Sequence, residues 1–324
     1  MKVSVIMATY NGEQYIKQQL DTIRKQSRKP DEVIIADDVS TDGTVDTIKK
    51  YIDEYDLKTW EVYENQSNCG WEENFIHLMK YCSGDIVFYS DQDDIWSLDK
   101  IRDMAGQMEH NDNILCLAGK LNGIDSKNRT LDLSNVFTFK SVLSTESGLV
   151  KKVDFTEDFL IKFYPGCVCA IRKQIIDDIF TLGELRNFPD RQICRIANIR
   201  GGLYTYDKIV ISHRLHDNNA GGNIKQLNGN GTRVRRQGEL RKDVAWLKAY
   251  IKNPLVISSE KEKIINKCFD IYSKRMRYLD GDMSFIGLLA YLRSYRNMII
   301  PDFCYRHNIN RQVGYIYSII SKLK

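Results

Sequence analysis

A chain of 324 residues, with 43% hydrophobic and 28% charged side chains, can bury one large core or two modest ones, which excludes a peptide or a disulfide miniprotein. Its mean hydropathy of −0.40 also excludes a disordered tail protein and a polytopic membrane protein. The formal net charge of +4 hides a division: residues 1–110 carry 22 acidic against 12 basic side chains, whereas residues 224–324 carry 8 against 20, so the two ends are expected to meet different partners.

The opening apolar run ends at Thr9-Tyr10-Asn11-Gly12 without a cleavage-type site, so residues 3–8 read as a first strand and not as a leader. After the Asn11-Gly12 turn, Tyr15, Ile16, Leu20 and Ile23 recur at helical spacing, and Pro30 closes that helix before a second strand over 32–36. Asp37 and Asp38 stand at its end. Ser40 or Asp42 can cap the next helix, whose buried stripe is Val45, Ile48, Tyr51 and Ile52. A strand over 60–63 follows, then a helix through Phe75, Leu78, Met79 and Cys82, then a strong strand over 86–89 running into Asp91-Gln92-Asp93-Asp94. This alternation predicts an α/β fold, a parallel sheet with helices on both faces.

Regularity weakens beyond residue 110. Short apolar runs at 114–118 and 153–155 fit a mixed sheet with loops that shape an acceptor site, residues 166–171 read as a buried strand, and 172–180 as a helix. After the Asn- and Gly-rich stretch 217–231 the periodicity is helical and basic. A boundary near residue 224 is expected, giving domains 1–223 and 224–324.

The eight cysteines show no CxxC and no paired metal-finger spacing, so reduced thiols in a cytosolic protein are expected and zinc is not. The longest nearly apolar run, 283–292, is well short of the roughly 20 residues a spanning helix needs. In the basic end, Arg233, Arg235, Arg236, Arg241 and Lys242 form one cluster and Lys274, Arg275 and Arg277 another. The apolar residues Phe285, Ile286, Leu288, Leu289, Tyr291 and Leu292 follow, bounded by Arg293, Arg296 and Arg306. Two readings stay open: interfacial helices on an anionic membrane surface, or a helical subdomain with a solvated basic face. No nucleic-acid-binding motif is present, and no nucleic acid partner is expected.

Open α/β sheets bind ligands outside the carboxyl ends of their strands, a rule that gathers residues 9–11, Asp37-Asp38 and residues 91–94 into one crevice. Asp37 and Asp38 taken alone could also merely cap a turn. Carboxylates crowded as Asp91, Asp93 and Asp94 are repel one another, and a hard divalent cation relieves the repulsion while completing its shell with substrate phosphates. Magnesium or manganese and a nucleoside diphosphate are therefore expected. Neither a Gly-x-Gly-x-x-Gly after the first strand nor a Walker-type loop is present, which weakens a dehydrogenase or P-loop reading.

Three segments carry a family resemblance: Val3-Ser4-Val5-Ile6-Met7-Ala8-Thr9-Tyr10-Asn11-Gly12, Ala36-Asp37-Asp38-Val39-Ser40-Thr41-Asp42-Gly43-Thr44 and Ser90-Asp91-Gln92-Asp93-Asp94-Ile95-Trp96. They resemble family 2 glycosyltransferases of the GT-A fold, a Rossmann-like nucleotide-binding half with a mixed central sheet, and the third is most similar to the rhamnosyltransferase-like branch. Asn68-Cys69-Gly70 with Asn74-Phe75, Pro165-Gly166-Cys167, and Arg214-Leu215-His216 with Asn219 and Gly222 extend the resemblance to about residue 222.

The resemblance implies that Thr9, Asn11, Glu13 and Asp37 contact the nucleotide, that Asn68 and Gly70 border its base, and that Asp91 meets the ribose or the metal's water shell. Asp93 and His216 would bind the metal. Asp190, in Pro189-Asp190-Arg191-Gln192, stands where the family places its catalytic base, with Pro189 in place of the usual acid or His; as a bare residue it could also be a helix cap. Val39 replaces a residue that is usually small in the family. Trp71 and Trp96 suit either sugar stacking or packing.

The expected activity is metal-dependent, inverting sugar transfer from a UDP- or dTDP-sugar to a glycan or lipid-linked acceptor in cell-surface polysaccharide synthesis, in the cytoplasm, either free or peripheral on the inner face of the cell membrane. The branch resemblance alone points to rhamnose. A nucleotidyltransferase and a catalytically silent membrane scaffold are the rival readings.

Overall fold

The computed structural model describes residues 1–133, 146–160, 162–182, 189–216, 219, 233–252, 255 and 257–282. Its backbone contacts divide the chain into two compact units, 1–227 and 228–324.

The first unit begins as predicted, with β1 (Val3–Thr9), α1 (Glu13–Arg24), β2 (Glu32–Asp37), α2 (Thr44–Glu54), β3 (Trp60–Glu64), α3 (Trp71–Tyr81) and β4 (Ile86–Ser90) in alternation. β2 and β4 both pair with β1 in parallel, and β3 pairs in parallel with β2. Apolar side chains cover both faces of β1 and β4, so these strands read as continuous buried runs, as central parallel strands do. α1 turns Tyr15, Ile16, Leu20 and Ile23 inward. It is tied to α2 through Tyr51, whose hydroxyl donates to Asp21 at 2.7 Å and accepts from Arg24 Nε at 2.8 Å.

The second half supplies β5 (Ile95–Trp96), α4 (Lys100–His110), β6 (Cys116–Ile124), β7 (Thr130–Leu131), β8 (Val150–Lys152), β9 (Cys169–Arg172), α5 (Lys173–Thr181), α6 (Pro189–Ile199) and β10 (Leu203–Arg214). The sheet runs β3-β2-β1-β4-β9-β6-β10-β5, with β7 on β6 and β8 on β10. β9 is antiparallel to both β4 and β6, while β10 is parallel to β6, so the expected mixed sheet is present. The chain moves outward from β1 to β3 and then returns to the other side of β1 as β4. This reversal opens the crevice at the carboxyl ends of β1 and β4.

Two sequence expectations change in detail. The strand expected over 166–171 begins only at Cys169, because Val168 N donates to Pro165 O at 3.1 Å and closes a 3-10 turn, Gly166–Val168. The run 153–155 follows a strand instead of forming one; β8 is Val150–Lys152.

In the second unit, α7 (Arg233–Lys252) and α8 (Ser259–Asp280) pack on each other. Arg275, counted above in a basic cluster, is 1% exposed and lies over the Tyr272 ring at 4.8 Å. Arg241 pairs with Asp280 at 3.0 Å and Lys274 with Asp270 at 2.9 Å. Arg275 is therefore taken off the basic surface, whereas Arg241 stays 62% exposed and Lys274 pairs within its own helix. The side chains of Arg233, Arg235 and Arg236, together with Gly222 and the apolar stretch from Phe285 to Arg306, lie outside the described residues. No helix among the described residues is long and apolar enough to cross a membrane.

Candidate active site

The loop after β1 and the loop after β2 are laced together by side chains that sequence alone could only place at strand ends. Asp37, 1% exposed, accepts from Thr9 Oγ1 at 2.8 Å, from Ser40 N at 2.7 Å and from Ser40 Oγ at 2.6 Å. Asn11 accepts from Thr41 N at 2.8 Å through Oδ1, and Glu13 accepts from Gly43 N at 3.0 Å. Asp37 is thus a turn cap by its hydrogen bonds, and of its roughly four lone-pair sites three are used. The backbone between them is left-handed at Asn11 (φ 47°), which Asn tolerates, and at Val39 (φ 66°), which a β-branched residue does not.

Asp38, which sequence reading gave no separate task, organises the loop before α3. Its carboxylate accepts from Cys69 N at 2.9 Å, Gly70 N at 2.7 Å and Asn65 Nδ2 at 2.9 Å, and Asn68 Nδ2 donates to its carbonyl at 3.0 Å. Those amides hold its pKa below the usual carboxylate range against the opposing effect of burial. Gly70 sits at φ 82°, where glycine is favoured. The predicted residues Thr9, Asn11, Glu13, Asp37, Asn68 and Gly70 therefore all stand at the carboxyl ends of β1, β2 and β3, around Asp37 and Asp38.

The acidic run after β4 closes the same crevice. Gln92 bridges back to Tyr10, accepting from its N–H and donating to its carbonyl, both at 2.9 Å. A Cβ on Gly12 would collide with that amide, so the residue there must be glycine while Gln92 holds this position. Asp93, 7% exposed, contacts His216 Nε2 at 2.8 Å and accepts from Asn219 Nδ2 at 3.2 Å. The two residues predicted as metal ligands are thus in direct contact, across 123 positions of sequence.

A second acid–imidazole pair was not foreseen. Asp94, fully buried, contacts His213 Nδ1 at 2.8 Å and accepts from Arg214 N at 3.0 Å. Burial opposes the charge on His213, but Asp94, Asp91 and Asp93 together raise its pKa to about 9. Asp91 is raised to about 7 by burial and by the neighbouring charges of Asp94 and Asp93. Ligand atoms of Asp91, Asp94, Cys167 and His213 lie within 4.8 Å of one another. Asp94 Oδ2 is buried with no hydrogen-bond partner among the described residues. An unsatisfied buried carboxylate oxygen within a cluster of carboxylates fits a hard divalent cation.

Arg214 braces this cluster from behind. It is 1% exposed and donates to Asp93 O at 2.7 Å, Asp125 O at 3.0 Å, Asn128 Oδ1 at 2.6 Å and Gln18 Oε1 at 2.9 Å. Lys100, also buried, donates to Cys167 O at 2.6 Å and covers the Trp96 ring at 3.6 Å. Trp96 is therefore packing, while Trp71 is 38% exposed at the start of α3.

Asp190 lies in the first turn of α6, where Arg191 N donates to it at 2.8 Å. Burial, then the nearby Cys194 sulfur, raises its pKa to about 6. Its charge also acts on the Tyr89 hydroxyl of β4, behind the larger effect of burial there. A carboxyl poised near 6 has the titration range of a general base.

A mixed sheet with a nucleotide-type crevice at its switch point, lined by paired acids and imidazoles, defines a GT-A fold. Residues 4–180 match the family model described as Glycosyl transferase family 2, and the chain belongs to that family. It is 32% identical over 130 residues to the poly(ribitol-phosphate) beta-N-acetylglucosaminyltransferase TarS of Staphylococcus aureus, covering 39% of this chain but 22% of that protein. It is 29% identical over 239 residues to the dTDP-rhamnosyl transferase RfbG of Shigella flexneri, covering 67% of this chain and 74% of RfbG. Among solved structures, S. aureus TarS 1-349 in complex with UDP-GlcNAc superposes with a TM-score of 0.62 at 17% identity, over 96% of this chain and 93% of that one. A mannosyltransferase from Pyrobaculum calidifontis in complex with GDP-Man and Mn2+ gives 0.52 at 15% identity, over 94% and 84%.

Proposed function

We propose that the protein is a divalent-cation-dependent, inverting glycosyltransferase that moves a sugar from a pyrimidine nucleoside diphosphate to a hydroxyl of a cell-surface glycan or its lipid-linked precursor. The observation that carries this reading is the meeting, at one sheet end, of the Asp93–His216 contact with the loops ordered by Asp37 and Asp38. Family membership and a solved TarS relative holding UDP-GlcNAc support it. The alignment with RfbG spans most of that protein, which favours dTDP-rhamnose as donor; TarS favours UDP-GlcNAc as the competing donor.

In this reading Thr9, Asn11, Glu13 and Asp37 line the nucleotide, with Asn68 and Gly70 at the base and Asp91 at the ribose. Asp93 and His216 would hold magnesium or manganese, which would supply positive charge for the departing diphosphate. Asp190 accepts the proton of the acceptor hydroxyl as its oxygen forms the bond to the anomeric carbon and the carbon–oxygen bond to the diphosphate breaks, inverting the centre. Arg214 positions Asp93 through its backbone carbonyl and does not touch substrate, while Asp94, whose Oδ2 has no hydrogen-bond partner among the described residues, is a further candidate ligand of the cation.

The test is donor affinity by calorimetry, with and without Mn2+, in wild type and Asp93→Ala. Wild type is expected to bind the nucleotide sugar only with the cation, and Asp93→Ala to lose that cation-dependent binding; equal affinity of wild type and Asp93→Ala in Mn2+ would overturn the assignment. Product analysis with dTDP-rhamnose and UDP-GlcNAc as alternative donors decides the sugar.

A further inference from the structure

Three cysteines far apart in sequence converge in the core of the first unit. Cys116 on β6 is 0% exposed, Cys169 at the start of β9 is 1% and Cys194 on α6 is 0%. β6 and β9 are antiparallel neighbours in which Ala118 faces Cys169 and Cys116 faces Ile171, so Cys116 and Cys169 are diagonal neighbours on one face of the sheet. α6 brings the third thiol against that face. Sulfur atoms of all three lie within 4.8 Å of one another.

We infer that Cys116, Cys169 and Cys194 form a binding site for a thiophilic divalent cation of the zinc and cadmium type, separate from the hard-cation crevice. Three sulfurs bound to one zinc at about 2.3 Å stand roughly 3.8–4.0 Å apart, so closing on the ion asks for a contraction of less than about 1 Å. Sulfur donors select such an ion over magnesium or manganese, which take oxygen.

Charge supports the same choice. Tyr164 N donates to Cys194 Sγ at 3.3 Å, and Arg195, 4% exposed, is the adjacent residue. Hydrogen bonds from the other two thiols, then from Tyr164 N, hold the Cys194 thiol well below its ordinary pKa against burial, and the Arg195 charge adds to this. Binding a dication forms three metal–sulfur bonds, breaks the S–H bonds that the three sulfurs carry and releases those protons to solvent, leaving a tris-thiolate complex of one negative charge beside Arg195. A monovalent soft ion would leave an additional negative charge in the core, which burial penalises.

Because the thiols are buried, the site fills as the chain folds. The experiment refolds the full, reduced chain with Cd2+ in excess Mg2+ and follows thiolate-to-cadmium charge transfer in the ultraviolet. Saturation at one equivalent is expected, with loss of the band in the Cys116→Ala/Cys169→Ala/Cys194→Ala variant and its retention in Cys82→Ala. At least a tenfold weakening is expected for Cys194→Ser alone, provided circular dichroism shows it folded. If those variants do not fold, cadmium X-ray absorption on the wild type decides, and a shell of sulfur alone is expected. No band in the wild type, a band kept by the folded triple variant, or a first shell dominated by oxygen would each overturn the site.

Discussion

At the scale of single residues, Asp190 has the clearest consequences. Its folded pKa of about 6 lies above the ordinary value of 3.8, so the folded state holds its proton more tightly than the unfolded chain does. The stability this contributes is fully present below the unfolded value and is lost as pH rises through about 6. Asp190→Asn, which cannot ionise, should therefore be more stable than wild type by about 1–2 kcal/mol at pH 8 and gain little at pH 4, a comparison made by denaturant unfolding at both pH values. The same substitution should lower transfer by roughly 10²–10⁴-fold while leaving donor affinity near wild type. In the wild type, kcat should fall about tenfold per pH unit below about 6, as the base takes up its proton. A flat profile between pH 5 and 7 would count against Asp190 as the base. Val39 gives an independent prediction. Its φ of 66° costs an L-residue roughly 1–2 kcal/mol, more than glycine loses in chain entropy, so Val39→Gly should raise Tm by a few degrees.

At the scale of elements, β10 is the strand on which the cluster depends. Its last residues place His213 on Asp94 and Arg214 behind Asp93, and His216 reaches Asp93 just beyond its end. Arg214→Met would keep much of the volume and remove the donors to Asp93 O, Asp125 O, Asn128 and Gln18, leaving buried acceptors unpaired at a cost on the order of 3 kcal/mol or more. The expected result is a lowered Tm together with at least tenfold weaker Mn2+-dependent donor binding, whereas a purely structural arginine would lower Tm alone. β10 was also the element least legible in the sequence. Its burial does not alternate, because the register against β6 shifts between Thr205 and Ile209 and again before Ile211, so a period-2 search finds no strand there. The alternating β1 to β4 segment was legible for the opposite reason: its strands are short unbroken apolar runs and its helices carry single stripes.

At the scale of the whole molecule, sequence motifs located which strand ends matter but not who touches whom across them. Asp93 and His216 were readable as a pair through their resemblance to a family, while Asp94 with His213 and the three-cysteine cluster needed the sheet order to bring β4, β6, β9 and β10 side by side. The opposed charge of the two chain ends acquires a partial structural account: acids of the first unit are engaged in ordered loops and in the crevice, and three cations of the second are engaged within its helix pair. Every residue assigned to donor or cation lies in the unit 1–227. A ligand that binds the folded state stabilises the elements it touches by suppressing their local opening. Hydrogen exchange with Mn2+ and nucleoside diphosphate together should therefore slow amides in the 38–43 and 65–70 loops, in residues 91–94 and around residues 213–216. Cation or nucleotide alone should protect them much less, since the carboxylates of Asp91, Asp93 and Asp94 repel an uncompensated diphosphate. Protection appearing first or only in α7 and α8 would relocate the nucleotide site and overturn the crevice assignment.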